Sequence, residues 1–217
     1  MSDVFQEVNE DLRRDQYIRL WKAYGKYAIA VIAAIVLGTA SGVGYRGYTS
    51  SRTHAASDRY EDAVALLKAG NEQEALMGFS QLAADTDGIY GVLALARQAA
   101  ALGSSGDREA AVALYDRIAS GDVSAPEIIR DLAALRAAML LIDTTSSEEV
   151  IARLNPLADD DRPLKYSARE LLGVLALRDG DTEAAEDIFT KITEDGGAPA
   201  GLRARAAALG FSVRGAQ

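Results

Sequence analysis

Two hydropathy patterns divide the chain. No charged residue stands between Lys26 and Arg46, and the run from Tyr27 to Tyr45 reads YAIAVIAAIVLGTASGVGY. At about 1.5 Å per residue, a helix over those positions covers roughly 28 Å, the thickness of a bilayer's hydrocarbon core. A helix also pairs its backbone groups internally, as lipid demands. Beyond Arg46 the apolar positions fall three and four apart, the spacing of one helix face, in blocks that recur.

The blocks align without gaps. GNEQEALMGFSQLA begins at Gly70, GDREAAVALYDRIA at Gly106 and GDTEAAEDIFTKIT at Gly180. Five residues on stand Ala75, Ala111 and Ala185; nine on stand Phe79, Tyr115 and Phe189; twelve on stand Leu82, Ile118 and Ile192. The starts are 36 and then 74 residues apart, and 74 is two units of 37, so a degenerate unit is expected between them. Thr145 to Leu157 supplies it, with Val150, Leu154 and Leu157 at the same offsets. Asn71, Asp107, Ser146 and Asp181 stand where an N-cap belongs, with acidic residues in the turn that follows.

Each of these helices is preceded by another apolar segment, expected near 55–69, 89–102, 126–142 and 164–178. Gly70, Gly103, Gly106 and Gly180 are expected to break the chain between partners. Pro126, Pro163 and Pro199 are expected in first turns, where a missing N–H is harmless. The unit is a helical hairpin of about 36 residues whose stacking buries a continuous core, with a last helix near 199–211. The expected fold is therefore all-α: one N-terminal transmembrane helix followed by a helical-hairpin solenoid. Its parts are an amphipathic helix over 1–26, a membrane helix over 27–45 and the array over 46–217.

The uncharged run reads as an uncleaved anchor. A secretory leader has a short basic region before its apolar core, whereas 26 residues precede this run, among them Asp3, Glu7, Glu10, Asp11 and Asp15. Trp21, Tyr24 and Tyr27 before it and Tyr45 and Tyr48 after it suit the headgroup layers. Five cations on the N-terminal side (Arg13, Arg14, Arg19, Lys22, Lys26) against three beyond (Arg46, Arg52, Arg59) bias the chain toward a cytosolic N-terminus. In a bacterium that sets the array in the periplasm, on a single pass of the inner membrane. Ala30, Ala34, Gly38 and Gly42 form a small-residue stripe: either a helix-packing surface or a by-product of an alanine-rich span. Val4, Phe5, Val8 and Leu12 give the leading segment an apolar face, directed to the membrane, to a partner or to neither.

Composition narrows the function. The 217 residues are 49% hydrophobic but only 6% aromatic, and 41 are alanine, which favours close-packed helices over sheet. The formal charge is −9; residues 46–217 hold 18 of the 23 Lys and Arg and 27 of the 32 Asp and Glu, so the whole excess lies there. An acidic chain is unsuited to sequence-independent nucleic-acid binding. With no cysteine and one histidine, His54, disulfides, thiolate metal sites and cysteine nucleophiles are excluded. His54 has no ligand-type cluster beside it, and Asp159-Asp160-Asp161 lacks the glycine and distal glutamate of a calcium loop. Gly103-Ser104-Ser105-Gly106 lacks the lysine of a phosphate loop. No enzyme, cofactor, metal or small-molecule site is expected.

These residues resemble a tetratricopeptide array. In that family a Leu-Gly pair in the first helix precedes the second-helix Ala by 12 positions, as Leu172-Gly173 precedes Ala185. The other units depart, with Ala63 and Ala99 in the Gly position, and none has the family's Trp. The opening DVFQEVNEDLRRDQ, one N-terminal span and an acidic array together resemble the inner-membrane ancillary subunit of the bacterial Sec translocon, in its alphaproteobacterial branch. That resemblance implies Sec translocon subunits, periplasmic chaperones and exported proteins as partners, beside the lipid bilayer. The alternative is a scaffold for another envelope assembly, respiratory or of cell division.

Overall fold

The computed structural model describes the backbone of residues 3–215 and the side chains from Trp21 to Ser212, except those at 23, 28–30, 32 and 33. Every regular element among them is a helix: α1 (Asp3–Lys68), α2 (Glu72–Asp85), α3 (Ile89–Ser105), α4 (Arg108–Ala119), α5 (Glu127–Leu141), α6 (Ser147–Ala158), α7 (Lys165–Arg178), α8 (Thr182–Glu194) and α9 (Ala200–Gly215). The chain divides into two units, residues 1–54 and 55–217.

The first unit is helix throughout its described part. One helical assignment, 3–68, covers the segments expected over 1–26 and 27–45 and most of that expected near 55–69, and no proline interrupts the sequence before Pro126. The described side chains from Ala34 to Ser50 are all exposed, including Ile35, Val36, Leu37 and Val43. Thr39 donates its hydroxyl to the Ile35 carbonyl at 2.9 Å, so this polar group is satisfied inside its own helix. Lys26 lies over the Tyr27 ring at 5.0 Å, and Arg52 over the Tyr48 ring at 4.8 Å. Among the described residues no helix is long and apolar enough to cross a membrane. Residues 28–30, 32 and 33 of the uncharged run, Ala30 of the small-residue stripe included, lie outside the described side chains.

The second unit is a series of hairpins in which consecutive helices pack together. The turn between first and second helix follows a common rule in two of them. Gly70 and Gly180 adopt positive φ of 86° and 80°; the amide of Asn71 then reaches the Leu66 carbonyl at 3.0 Å, and that of Asp181 reaches Ala176 at 2.9 Å. This wrap satisfies end carbonyls that helix geometry leaves open. Gly121, with φ of 87°, follows α4 in the same conformation.

Several boundaries differ from expectation for packing reasons. Gly103 does not break the chain; it lies inside α3, where an added Cβ would stand 3.2 Å from Leu140 Cδ2. Pro126 is the residue before α5, Pro199 the residue before α9, and Pro163 lies two residues before α7, rather than inside first turns. There they restrict the approach to the helix instead of opening it. Pro156 lies within α6 on its exposed side, the one proline that a described helix accommodates internally.

All four cap positions are occupied as N-caps, but only two side chains bond. Asp107 accepts from the Ala110 amide at 3.2 Å and Asp181 from the Ala184 amide at 3.0 Å, whereas Asn71 and Ser146 make no such bond. Asp107→Ala and Asp181→Ala should each lower stability by about 1 kcal/mol. Asn71→Ala should cost visibly less in the same urea titration, and equal losses at all three sites would contradict this assignment.

Candidate protein-docking surface

In the second unit the first helices are the segment 55–68 of α1, then α3, α5 and α7, with α9 following. The segment 55–68, α3, α5 and α7 each turn one face to the second helix that follows. The face toward the second helix is defined by small residues: Ala63, Ala99 and Ala138 are nearly inaccessible, and Gly173 is buried in the same position. Each precedes by 12 residues the buried Ala75, Ala111, Val150 or Ala185. Phe79, Tyr115, Leu154 and Phe189 fill the next layer, and Leu82, Ile118, Leu157 and Ile192 close it. Leu172 is half-buried beside Gly173. The repeat-core residues thus share one interior, in clusters that follow the hairpins.

Polar links join each unit to the next at nearly constant separation. Arg97 Nε donates to the Tyr60 hydroxyl at 3.1 Å, 37 residues away. Arg153 pairs with both oxygens of Asp116, at 2.5 and 3.2 Å, again 37 residues away. Arg178 donates to the Ile142 carbonyl, 36 residues back, and to the Thr145 carbonyl at 2.9 Å. Arg205 forms a fork on Glu170 at 2.8 and 2.7 Å, 35 residues back. Paired guanidinium forks fix orientation as well as distance, so these links set each hairpin against its predecessor. No periodicity in hydropathy marks them, because the partners are polar and one full unit apart.

The acidic and polar features outside the core find structural partners. Asp160 accepts from Arg169 at 2.8 Å, with Lys165 also near, and the Arg169 guanidinium holds its carboxyl below the ordinary range. Asp131 is 5% exposed within α5 and pairs with Arg162, which also bonds Glu127. These carboxylates, the Glu127 hydrogen bond foremost, raise the arginine's affinity for its proton. His54 is exposed at the end of the first unit. Among the described residues no His, Asp and Glu cluster could hold a metal ion.

What remains open is the outward face of the first helices. Along α5 it reads Ile128, Leu132, Arg136, Met139, spaced four, four and three; Ile128, Leu132 and Met139 are 42%, 40% and 45% exposed. Along α3 it reads Leu93, Arg97, Ala100, Ser104. Between them lies a hollow of about 330 Å³ whose walls include Ala99, Gly103, Ser104, Tyr115, Arg136 and Met139. Burial raises the Tyr115 phenol above its usual range, and Arg136 and Arg97 pull it back. Sequence reasoning placed Tyr115 in the core but assigned no role to Arg97 or Arg136. Their only sequence signal is a cation on the outer edge of an apolar helix, shared with many solvated arginines. A second cavity, of about 640 Å³, lies by the α2–α3 turn and is lined by Thr86, Asp87, Gln98 and Arg117 among others.

The residues expected in a membrane behave differently. Trp21, Tyr24, Tyr27, Tyr45 and Tyr48 are 58–70% exposed, and Ala34, Gly38 and Gly42 of the small-residue stripe are exposed as well. Nothing lies within 4 Å of a Cβ built on Gly38 or Gly42.

A sequence model described as a tetratricopeptide repeat-like domain matches residues 19–207. No curated protein and no solved structure gives a match.

Proposed function

The chain belongs to the tetratricopeptide repeat-like domain family, and from that premise we propose that it is a membrane-anchored docking module. Its array is a protein-interaction domain, as is general for the family. The anchor is the uncharged run 27–45, and the observation that carries it is the exposure of its described apolar side chains. Val31, Ile35, Val36, Leu37 and Val43 are 57–71% exposed on a helix whose nearest charges, Lys26 and Arg46, lie just outside the run. Exposed apolar side chains of that kind are stable against lipid or another helix, not against water. Tyr27 at one end and Tyr48 beyond the other, with Lys26 and Arg52 over their rings, fit the two headgroup layers.

In this reading the N-terminus faces the cytosol and the array faces the periplasm of a bacterial inner membrane. The Sec translocon is the proposed site of assembly, with periplasmic chaperones and exported chains as clients. Tethering acts by mass action: it raises the array's concentration where chains emerge, so weak contacts suffice. The opening motif, the span and the acidic array support this assignment.

Fractionation tests the anchor. The full-length chain should remain with membranes through alkaline washing and leave them only with detergent; recovery in the soluble pool would refute anchoring. Crosslinking before mild detergent purification tests the assembly. Translocon subunits should be recovered with the chain, whereas respiratory or cell-division subunits alone would assign it to a different envelope scaffold.

A further inference from the structure

The geometry points to α6 as a detachable helix: it opens as one unit between its two flanking turns while α4 and α8 stay folded, and it closes when arginines of α7 clamp both of its ends. This step goes beyond the docking reading and does not depend on where the chain is anchored.

Three observations carry it. The first is how little α6 does for itself. Among the second helices, α2, α4 and α8 each bury an aromatic ring, Phe79, Tyr115 or Phe189, where α6 buries Leu154. A ring takes more apolar surface out of water than a leucine does. Asp107 and Asp181 cap α4 and α8 with a side-chain bond, whereas Ser146 makes none to α6. Pro156 stands inside α6 and has no N–H, so the Ala152 carbonyl loses the amide that a helix supplies four residues on. No other second helix combines these three weaknesses.

The second observation is where support comes from instead. Helix α7 supplies it at both ends of α6. At the start, the Arg178 guanidinium donates to the Ile142 carbonyl, to the Thr145 carbonyl at 2.9 Å and to the Ser147 hydroxyl. At the finish, Arg169 Nε donates to the Ala158 carbonyl at 3.0 Å, one of the end carbonyls that a helix leaves open. Two further arginines secure the hairpin. Arg162, in the turn after α6, reaches Glu127 and Asp131 of α5, and Arg153 of α6 reaches Asp116 of α4. All four arginine side chains are 24–31% exposed, so water competes for every clamp.

The third observation is what the helix covers. Val150, Leu154 and Leu157 share one cluster with Leu135, Ala138 and Ile142 from the α5 side and with Ala168 and Leu175 of α7. Lifting α6 away brings that apolar strip to the surface, so the opening leaves a mark on side chains as well as on amides.

Hydrogen exchange of the full-length chain in detergent, read by mass spectrometry, tests this. The amides of 150–158 should exchange together, at least about tenfold faster than those of 111–119 in α4 and 185–194 in α8. Arg169→Gln/Arg178→Gln should raise the 150–158 rates by a further factor of about ten and leave those of α4 unchanged. Pro156→Ala should lower them by about tenfold. Pro156 is exposed, so its replacement disturbs no buried contact and decides the matter even if the double variant fails to fold. Because the chain has no cysteine, Ala168→Cys under α6 should also be alkylated faster than Ala111→Cys in α4, both sites being fully buried. Equal protection of α4, α6 and α8, equal alkylation at the two sites, or a Pro156→Ala effect spread evenly over the helices would overturn the inference.

Discussion

Phe189→Ala is expected to lower the unfolding free energy of the array by about 3–5 kcal/mol, the range for emptying a buried aromatic site. Phe189 is fully buried in α8, among Ala185, Ile192, Ala198 and Ala206. Its ring also explains Gly173. A Cβ added at Gly173 would stand 2.6 Å from Phe189 Cε1 and 2.8 Å from Cζ, closer than carbon atoms approach. Gly173→Ala should therefore destabilise, although alanine is the better helix former by about 1 kcal/mol. The two sites are coupled through one volume. In a Phe189→Leu background the Gly173→Ala cost should shrink, and a double-mutant cycle by urea denaturation measures the difference. Additive losses would mean that the ring does not press on Gly173. Ala185→Asp, which places a carboxylate among the same residues, should be at least as damaging.

Gly91→Ala is the second large effect, and its sign is the informative part. Gly91 sits in the first turn of α3, where alanine ordinarily stabilises. Here an added Cβ would lie 2.1 Å from the Thr86 carbonyl oxygen, and that neighbour is backbone. A side chain could rotate away; the turn between α2 and α3 has to move as a whole. The change should cost about 1–3 kcal/mol, as overpacked sites do, and should weaken the joint between the first two hairpins. Hydrogen exchange should rise first in the 86–92 amides. A stabilised Gly91→Ala protein, with unchanged exchange there, would show that the turn does not approach α3 so closely.

The hairpin period was legible because it is written in one-dimensional spacing. Ala, aromatic and aliphatic residues at intervals of four and three mark a single helix face, and Asp107 and Asp181 mark where the helix begins. Those features act within about a dozen residues, so local spacing specifies them. Even the degenerate unit was visible, since Val150, Leu154 and Leu157 keep the intervals while changing the residues. Gly103 was misread as a break because glycine has two uses with one appearance. A turn needs its freedom at positive φ, as at Gly106 with φ of 95°, and a helix contact needs its missing Cβ, as beside Leu140.

The candidate docking face was far less legible. Arg97, Arg136 and Tyr115 come from three helices, and nothing in their spacing sets them apart from the arginines that α7 or α9 directs to Asp160 and Glu170. Their surroundings, the Tyr60 hydroxyl beside Arg97 and the hollow beside Arg136, are a property of neighbouring elements.

The order of hydrophobic and capping residues alone thus determined an all-α chain, its uncharged run, the period of its hairpins and the residues that fill them. Tertiary structure decided which arginines are paired and which stay open, why Gly91 and Gly173 tolerate no side chain, and where the hollow forms. The physical reason is range. Helix periodicity and capping join residues a few positions apart, whereas links such as Arg153 to Asp116 and Arg205 to Glu170 join residues 37 and 35 apart and exist only once successive hairpins have stacked.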